Sequence, residues 1–319
     1  MIGYMCGYLR YYYPKEFITA YLNNANNDDD ITMGTQLAEQ LGIKIYPIRF
    51  RHSTAKYSCD SSGIYKGIES IKFLNDKIAD ELYELREYKF DSFIDLLVRL
   101  RDLSINSRQL DILIKLDFFK EFGEIKTLLK QVEIFEKVYG KKQFKKSKLE
   151  EFGIPLEITE KYATKVTEKT LTGVNTNGLL NELVNTYLKY PPTTLMDHFR
   201  YENECLGYVV TIQPDANKRL YYVSAINSTK YLTTASLYEI YSGKTRTVKM
   251  WTSQYNRDPF ELGSILYIIS LEKKNKKEST GEINPKTGKK IYKEVPDKFE
   301  FWLSKFVIKN DIEEVVQDI

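Results

Sequence analysis

At Pro214 the hydrophobic period of the chain changes, and this limits the possible folds more than any other feature. Before it, apolar residues recur every three or four positions. Ile71, Leu74, Ile78 and Leu82 keep that spacing, as do Phe93, Leu96, Leu97 and Leu100, then Leu110, Leu113, Ile114 and Phe118. Each set places one apolar stripe on a helix. After Pro214 the period shortens to two. Tyr221–Ile226, Tyr231–Tyr238, Thr245–Trp251, Ser264–Ile269 and Phe299–Leu303 read as strands, and Lys273–Lys290 as a polar hairpin or loop. About five strands in some 90 residues suit a small barrel. The expected fold class is therefore α+β, with a helical N-terminal half and a C-terminal small β-barrel. Residues 4–22 read as helix, turn, helix with Pro14 at a first turn. Residues 31–41 are a further amphipathic helix, and Ile43–Tyr46 a short strand. Lys141–Lys148 reads as an exposed linker or helix face, and 149–206 as short helices.

Two tetrads inside the helical half share a layout. Phe73-Leu74-Asn75-Asp76 divides one helix pair, and Ser104-Ile105-Asn106-Ser107 divides another 31 residues later. Each runs apolar residue, Asn, capping residue. That is the layout of a tight helix–hairpin–helix turn, since Asn tolerates a left-handed backbone and Asp or Ser caps the next helix. Two ordinary capped helices would read the same way. If the turns bind DNA, they do so through backbone amides aimed at a phosphate. The donors would be the amides of Leu74, Asn75 and Asp76 and of Ile105, Asn106 and Ser107. Lys66, Lys72 and Arg108 would be the accompanying cations. Asp76 argues against the first turn, because its carboxylate competes with phosphate for the same amides.

Charge separates the two halves as well. Residues 218–310 carry 18 Lys and Arg against 9 Asp and Glu, a net +9 inside a chain of +3 overall. A basic segment of this kind points to a polyanion. Lys244, Arg246 and Lys249 supply cations, and they share a face only if a bulge or twist intervenes. Trp251, Tyr255 and Tyr222 are candidate platforms for stacked bases, although each residue type is more often found in a core than as a platform. The 25 tyrosines are weak evidence of stacking, because high Tyr, Lys and Asn usage also follows from AT-rich coding. The clusters Lys273–Lys277 and Lys286–Lys290 would add salt-sensitive attraction. Gln131-Val132-Glu133-Ile134-Phe135 has the Gln-x-x-aliphatic-Phe form of a sliding-clamp peptide, with Gln131, Ile134 and Phe135 as contacts. Such a peptide docks extended, and this one lies in a helical stretch.

Other chemistries are poorly supplied. Two histidines, His52 and His198, cannot build a multi-His metal or phosphoesterase centre. Cys6, Cys59 and Cys205 form no CxxC pair, which suits a reducing cytoplasm. No signal peptide and no apolar run of membrane-spanning length is visible. No phosphate-cradling Gly-rich loop, nucleophile motif or metal-spaced Cys/His set occurs. No cofactor or metal is expected, and no catalytic residue is nominated.

In this order the pieces resemble the C-terminal portion of the bacterial DNA polymerase III alpha subunit, the C-family replicase. Tyr8–Phe17 (YLRYYYPKEF) is similar to the family's segment at the end of the fingers. Ile64–Lys72 (IYKGIESIK) resembles its "I-x-x-GL-x-x-IK", and Phe93–Leu97 through Leu113–Phe119 resembles the stretch that follows. Glu202–Tyr208 (ENECLGY) is similar to the motif preceding the family's OB-fold. The likeness covers about 1–125, thins over 126–200 and is architectural over 218–309. The family's hairpin glycines fall here at Phe73-Leu74-Asn75, so the phosphate-gripping turn is altered. The resemblance implies a fingers-like segment over 1–63, a tandem helix–hairpin–helix domain over 64–140, a helical linker region over 141–217, an OB-like barrel over 218–310 and an acidic tail over 311–319. The family's three catalytic carboxylates lie upstream of this segment. The chain is then the DNA-handling, non-catalytic end of a DNA-directed DNA polymerase, whether a piece, a separate subunit or a remnant. Its partners would be single-stranded and duplex DNA, a palm-bearing polypeptide and a sliding clamp, with no membrane. The alternative is a protein-interaction module that docks a polymerase core or clamp without DNA affinity of its own.

Overall fold

The computed structural model describes residues 2–186, 190–283 and 290–309. Most of the second lysine cluster and the acidic tail at 311–319 lie outside the described residues. The chain forms two compact units, Met1–Thr193 and Thr194–Ile319. The architecture is mixed α+β: a helical N-terminal half and a C-terminal five-strand sheet.

The first unit opens with α1 (Ile2–Tyr12), α2 (Pro14–Asn23) and α3 (Asp28–Gln40). Pro14 stands at the start of α2, where its missing amide is no loss. The Asn/Asp tract ends α2 and also starts α3, because the Asn27 side chain accepts the Asp30 amide at 2.8 Å. Ile18, Leu22, Ala38 and Ile64 close a small core beneath these helices. A three-stranded sheet follows, β1 (Ile45–Tyr46), β2 (Ser58–Cys59) and β3 (Ile64–Tyr65), in the order β1-β3-β2. Gly67 is obligatory just beyond it. A Cβ there would lie 2.5 Å from the Ala55 carbonyl oxygen, against which the chain folds closely.

Three helices then carry the apolar stripes read from the sequence, α4 (Asp76–Glu84), α5 (Phe93–Leu100) and α6 (Ser107–Lys115), and α7 (Ile125–Val138) follows them. A phenylalanine cluster joins the start of α5 to the segment after α6. Phe50, Phe118 and Phe119 are fully buried, and Phe119 sits 5.5 Å from Phe50 and 5.6 Å from Phe93. The lysine-rich stretch 141–148, read as an exposed linker or helix face, is largely exposed and ends in a helix, but it also contains a strand. It holds β4 (Gln143–Lys145) and the start of α8 (Lys146–Glu151). Phe144 is buried between two exposed neighbours, an alternation that lysines on either side had hidden. After α9 (Leu156–Lys161) come β5 (Lys165–Val166) and β6 (Thr170–Thr172), which complete a second small sheet, β4-β6-β5. Helix α10 (Thr176–Thr186) ends this part.

The second unit starts with α11 (Leu195–Leu206), capped by a reciprocal Thr194–Asp197 pair and stopped by Gly207 at φ +84°. Five strands follow, with one short helix between the third and fourth: β7 (Leu220–Ser228), β8 (Leu232–Glu239), β9 (Thr245–Trp251), α12 (Thr252–Tyr255), β10 (Ile265–Ile283) and β11 (Lys290–Lys309). They close as a barrel in the order β10-β11-β9-β8-β7, consistent with an OB-like fold. All neighbours are antiparallel except β9 and β11. Val223, Ala235, Leu237, Val248, Met250, Leu266 and Leu303 fill the interior. The stretch from Lys273, read as a polar hairpin or loop, takes the hairpin form: it continues as strand to Ile283 and pairs antiparallel with β11. Nothing apolar alternates there, so backbone pairing extends it without a hydrophobic signal.

Candidate nucleic-acid interface

The first hairpin turns at Phe73, which adopts φ +75°. A left-handed backbone of this kind favours glycine, and here a bulky side chain holds it. The Leu74 amide donates to the Ile71 carbonyl at 3.1 Å, and Leu74 itself is buried. Leu74 is therefore a structural residue of the turn and its amide is not a phosphate donor. Asn75 caps α4, its Oδ1 accepting from the Ile78 amide at 3.0 Å. Asp76 accepts from the Lys77 amide at 2.8 Å. Side chains thus occupy two of the first α4 amides, as an incoming phosphate would. Lys66 lies just past β3, with its amide donating to the Tyr46 carbonyl at 3.0 Å.

The second hairpin is more fully internally satisfied. Asn106 and Gln109 exchange side-chain-to-amide bonds at 3.0 Å in both directions, which uses the Asn106 amide. Glu81 reaches from α4 to the Ser104 amide and hydroxyl, both at 2.8 Å. The Ser104 amide, aided by its hydroxyl and by Lys77, holds the Glu81 carboxyl below its usual range. Ser107 donates its hydroxyl to Glu136 at 3.0 Å.

The fold brings the two turns together. Gln109 donates its Nε2 to the Phe73 carbonyl at 2.9 Å. The Arg108 guanidinium lies 3.7 Å from the centroid of the Phe73 ring, and the Lys72 ammonium 5.3 Å from it. Lys72, Arg108 and Phe73 are all exposed. Sequence reasoning nominated the two cations but missed Phe73, Gln109 and Glu81. Phe73 could have been found from its place in a turn that needs a left-handed residue. Gln109 was legible as the fourth residue of an Asn-x-x-Gln capping box. Glu81 left no signal, because its partner is 23 residues away.

On the barrel, β9 runs in unbroken register with β8 from Thr245 to Trp251. No bulge intervenes, so Lys244, Arg246 and Lys249 do not form one face. Arg246 has the parity of the interior residues Val248 and Met250, and its guanidinium lies 5.5 Å from the Phe301 ring. Lys244 is exposed at the β8–β9 turn. Lys249 and Trp251 point outward on the other side of β9. There the Trp251 and Trp302 rings lie 5.0 Å apart at 49°, with the Lys274 ammonium 5.0 Å over Trp302. Lys249 pairs with Glu300, which also accepts from the Trp302 indole at 2.7 Å. Burial alone would raise the Glu300 carboxyl, but these two hydrogen bonds outweigh it and hold it low. Lys273 sits 3.6 Å from the centroid of the exposed Phe299 ring. Tyr231 is exposed before Leu232, the register partner of Trp251.

One of the proposed platforms is a core residue and another packs against the core. Tyr222 is fully buried against Phe199, and burial raises its phenol above the ordinary value. Tyr255 is partly buried against Phe260 and donates its hydroxyl to the Phe260 carbonyl at 2.7 Å. Strand alternation could not show which face was inner for the one, nor that a short helix folds the other inward. The clamp peptide is also corrected. Gln131, Ile134 and Phe135 lie on α7 and are all buried, so they cannot dock extended in a groove.

The first unit thus carries two hairpin turns joined by side-chain contacts, and the second a barrel face with an exposed aromatic residue and cations. Residues 42–129 match the helix-hairpin-helix motif family. The chain is similar to the DNA polymerase III alpha subunit. It is 25% identical over 219 residues to that of Halalkalibacterium halodurans, covering 67% of this chain and 17% of the relative. It is 30% identical over 137 residues to that of Borreliella burgdorferi and 27% identical over 137 residues to that of Bacillus subtilis, each covering 42% of this chain and 12% of the relative. The chain therefore spans less than a fifth of the length of these relatives. Among the described residues no helix is long and apolar enough to cross a membrane.

Proposed function

We propose that this chain is a non-catalytic, DNA-binding segment or accessory subunit of a C-family replicative polymerase, acting in the cytoplasm. The observation that carries the reading is the outer barrel face at Trp251, Trp302, Lys274 and Lys249. Bases stack on sequence-tolerant aromatic platforms while nearby ammonium groups follow the phosphates. Lys72 and Arg108 at the joined hairpins meet the phosphate backbone without reading bases. A palm-bearing polypeptide would supply the chemistry. Filter binding to single-stranded and duplex DNA over a salt series tests this. Binding in the micromolar range or tighter at low salt is expected, weakening steeply as salt rises; its absence refutes the proposal.

A second reading has its own support. Gln109 already occupies the Asn106 amide, Asn75 and Asp76 occupy the Ile78 and Lys77 amides in the first turn of α4, and Glu81 occupies that of Ser104. A module that docks a polymerase core through protein contacts would have no need of those donors. Co-purification with a palm-bearing polypeptide, together with no DNA retardation, would favour it.

A further inference from the structure

Among the described residues three non-glycine positions have a positive φ: Asp117, Asp297 and Phe73. Aspartate tolerates that region, whereas a bulky aromatic there is a strained placement that persists only where its surroundings hold it. Here they do. The Gln109 side chain fixes the Phe73 carbonyl at 2.9 Å, and the next amide, that of Leu74, is tied to Ile71. Core packing does not explain the ring, since it is 46% exposed. The turn therefore presents a rigid apolar side chain to solvent, flanked by the cations Lys72 and Arg108.

We propose that Phe73 is an apolar wedge that enters the minor groove of duplex DNA and stacks on a base, with Lys72 and Arg108 engaging the phosphates on either side. The inference rests on the DNA-binding reading above and adds a contact to it. Aromatic and aliphatic wedges between base steps are a known means of gripping DNA without reading sequence. Without DNA the Arg108 guanidinium covers the ring. An exposed cation–π contact is weaker than a stacked base, so a base displaces the guanidinium and leaves it free for phosphate. A duplex is the fitting partner because two like turns lie together with a cation from each. Phosphates border a groove on both sides, whereas one strand offers a single row.

The test uses the full chain and a duplex carrying 2-aminopurine, whose emission rises when the base is unstacked. The wild-type chain is expected to raise that emission. F73G removes the ring and relieves the positive φ, so its melting temperature should hold or rise. It should lose the emission change and bind duplex about tenfold more weakly, with an unaltered salt slope because no cation is removed. K72A should instead keep the emission change and flatten the salt slope. Wild-type affinity and emission in F73G would overturn the wedge while leaving the DNA-binding reading intact. A lower melting temperature in F73G, or a loss confined to single strands, would also overturn it. A wild-type chain that binds no DNA would sink both.

Discussion

Both tryptophans of the chain lie at the same place on the barrel, Trp251 beside Trp302. Intrinsic tryptophan fluorescence therefore reports on that face alone. Trp251 is 56% exposed at the end of β9, and its described ring contact is with Trp302. Replacing it with Ala forfeits an aromatic pair of about 0.5–1.5 kcal/mol, a small loss for a domain of ordinary stability. If a base stacks on the indole, the same change removes about 1–3 kcal/mol of binding. That corresponds to roughly 5- to 150-fold in Kd. Oligo(dT) titrated into the wild-type chain should quench the tryptophan emission. W251A should bind a labelled oligo(dT) more weakly by anisotropy, with a salt slope close to that of wild type, since no cation is lost. Oligonucleotide binding without any quench, or W251A with wild-type affinity, would place the single strand elsewhere and refute the stacking argument.

Three further substitutions probe the corrected and newly found residues. E81Q keeps the shape of the Glu81 bridge to Ser104 but removes its charge. The folded carboxyl titrates below its ordinary 4.5, so its stabilisation is present above that value and is lost as pH falls through the lowered one. Denaturant melts should show wild type ahead by about 1 kcal/mol at pH 7, the gap closing below pH 4.5; a gap unchanged by pH would refute it. Gln131 is buried on α7 with its side-chain oxygen unpartnered. Q131M should therefore raise stability by about 1 kcal/mol, and a lower melting temperature would show that the amide has a partner role. Y222A should cost about 3–5 kcal/mol of stability, whereas a surface platform at that position would leave the melting temperature unchanged while weakening DNA binding.

The sequence alone determined the α-to-β change at Pro214, the helical stripes of α4 to α6, the two capped turns and the five barrel strands. Each is a local property: period, capping or turn chemistry is written within a few neighbouring residues. The hairpin cations Lys72 and Arg108 were legible for the same reason. What tertiary structure decided was which residues meet and which face turns inward. Tyr222 and Trp251 are both aromatic residues on strands, yet closure of the barrel buries one and exposes the other. Arg246 and Lys249 are near neighbours that an unbroken register sends to opposite sides. Phe73, Arg108 and Gln109 are joined only because two hairpins separated in sequence fold side by side. Such contacts depend on distances closed across the chain, and no local pattern encodes them.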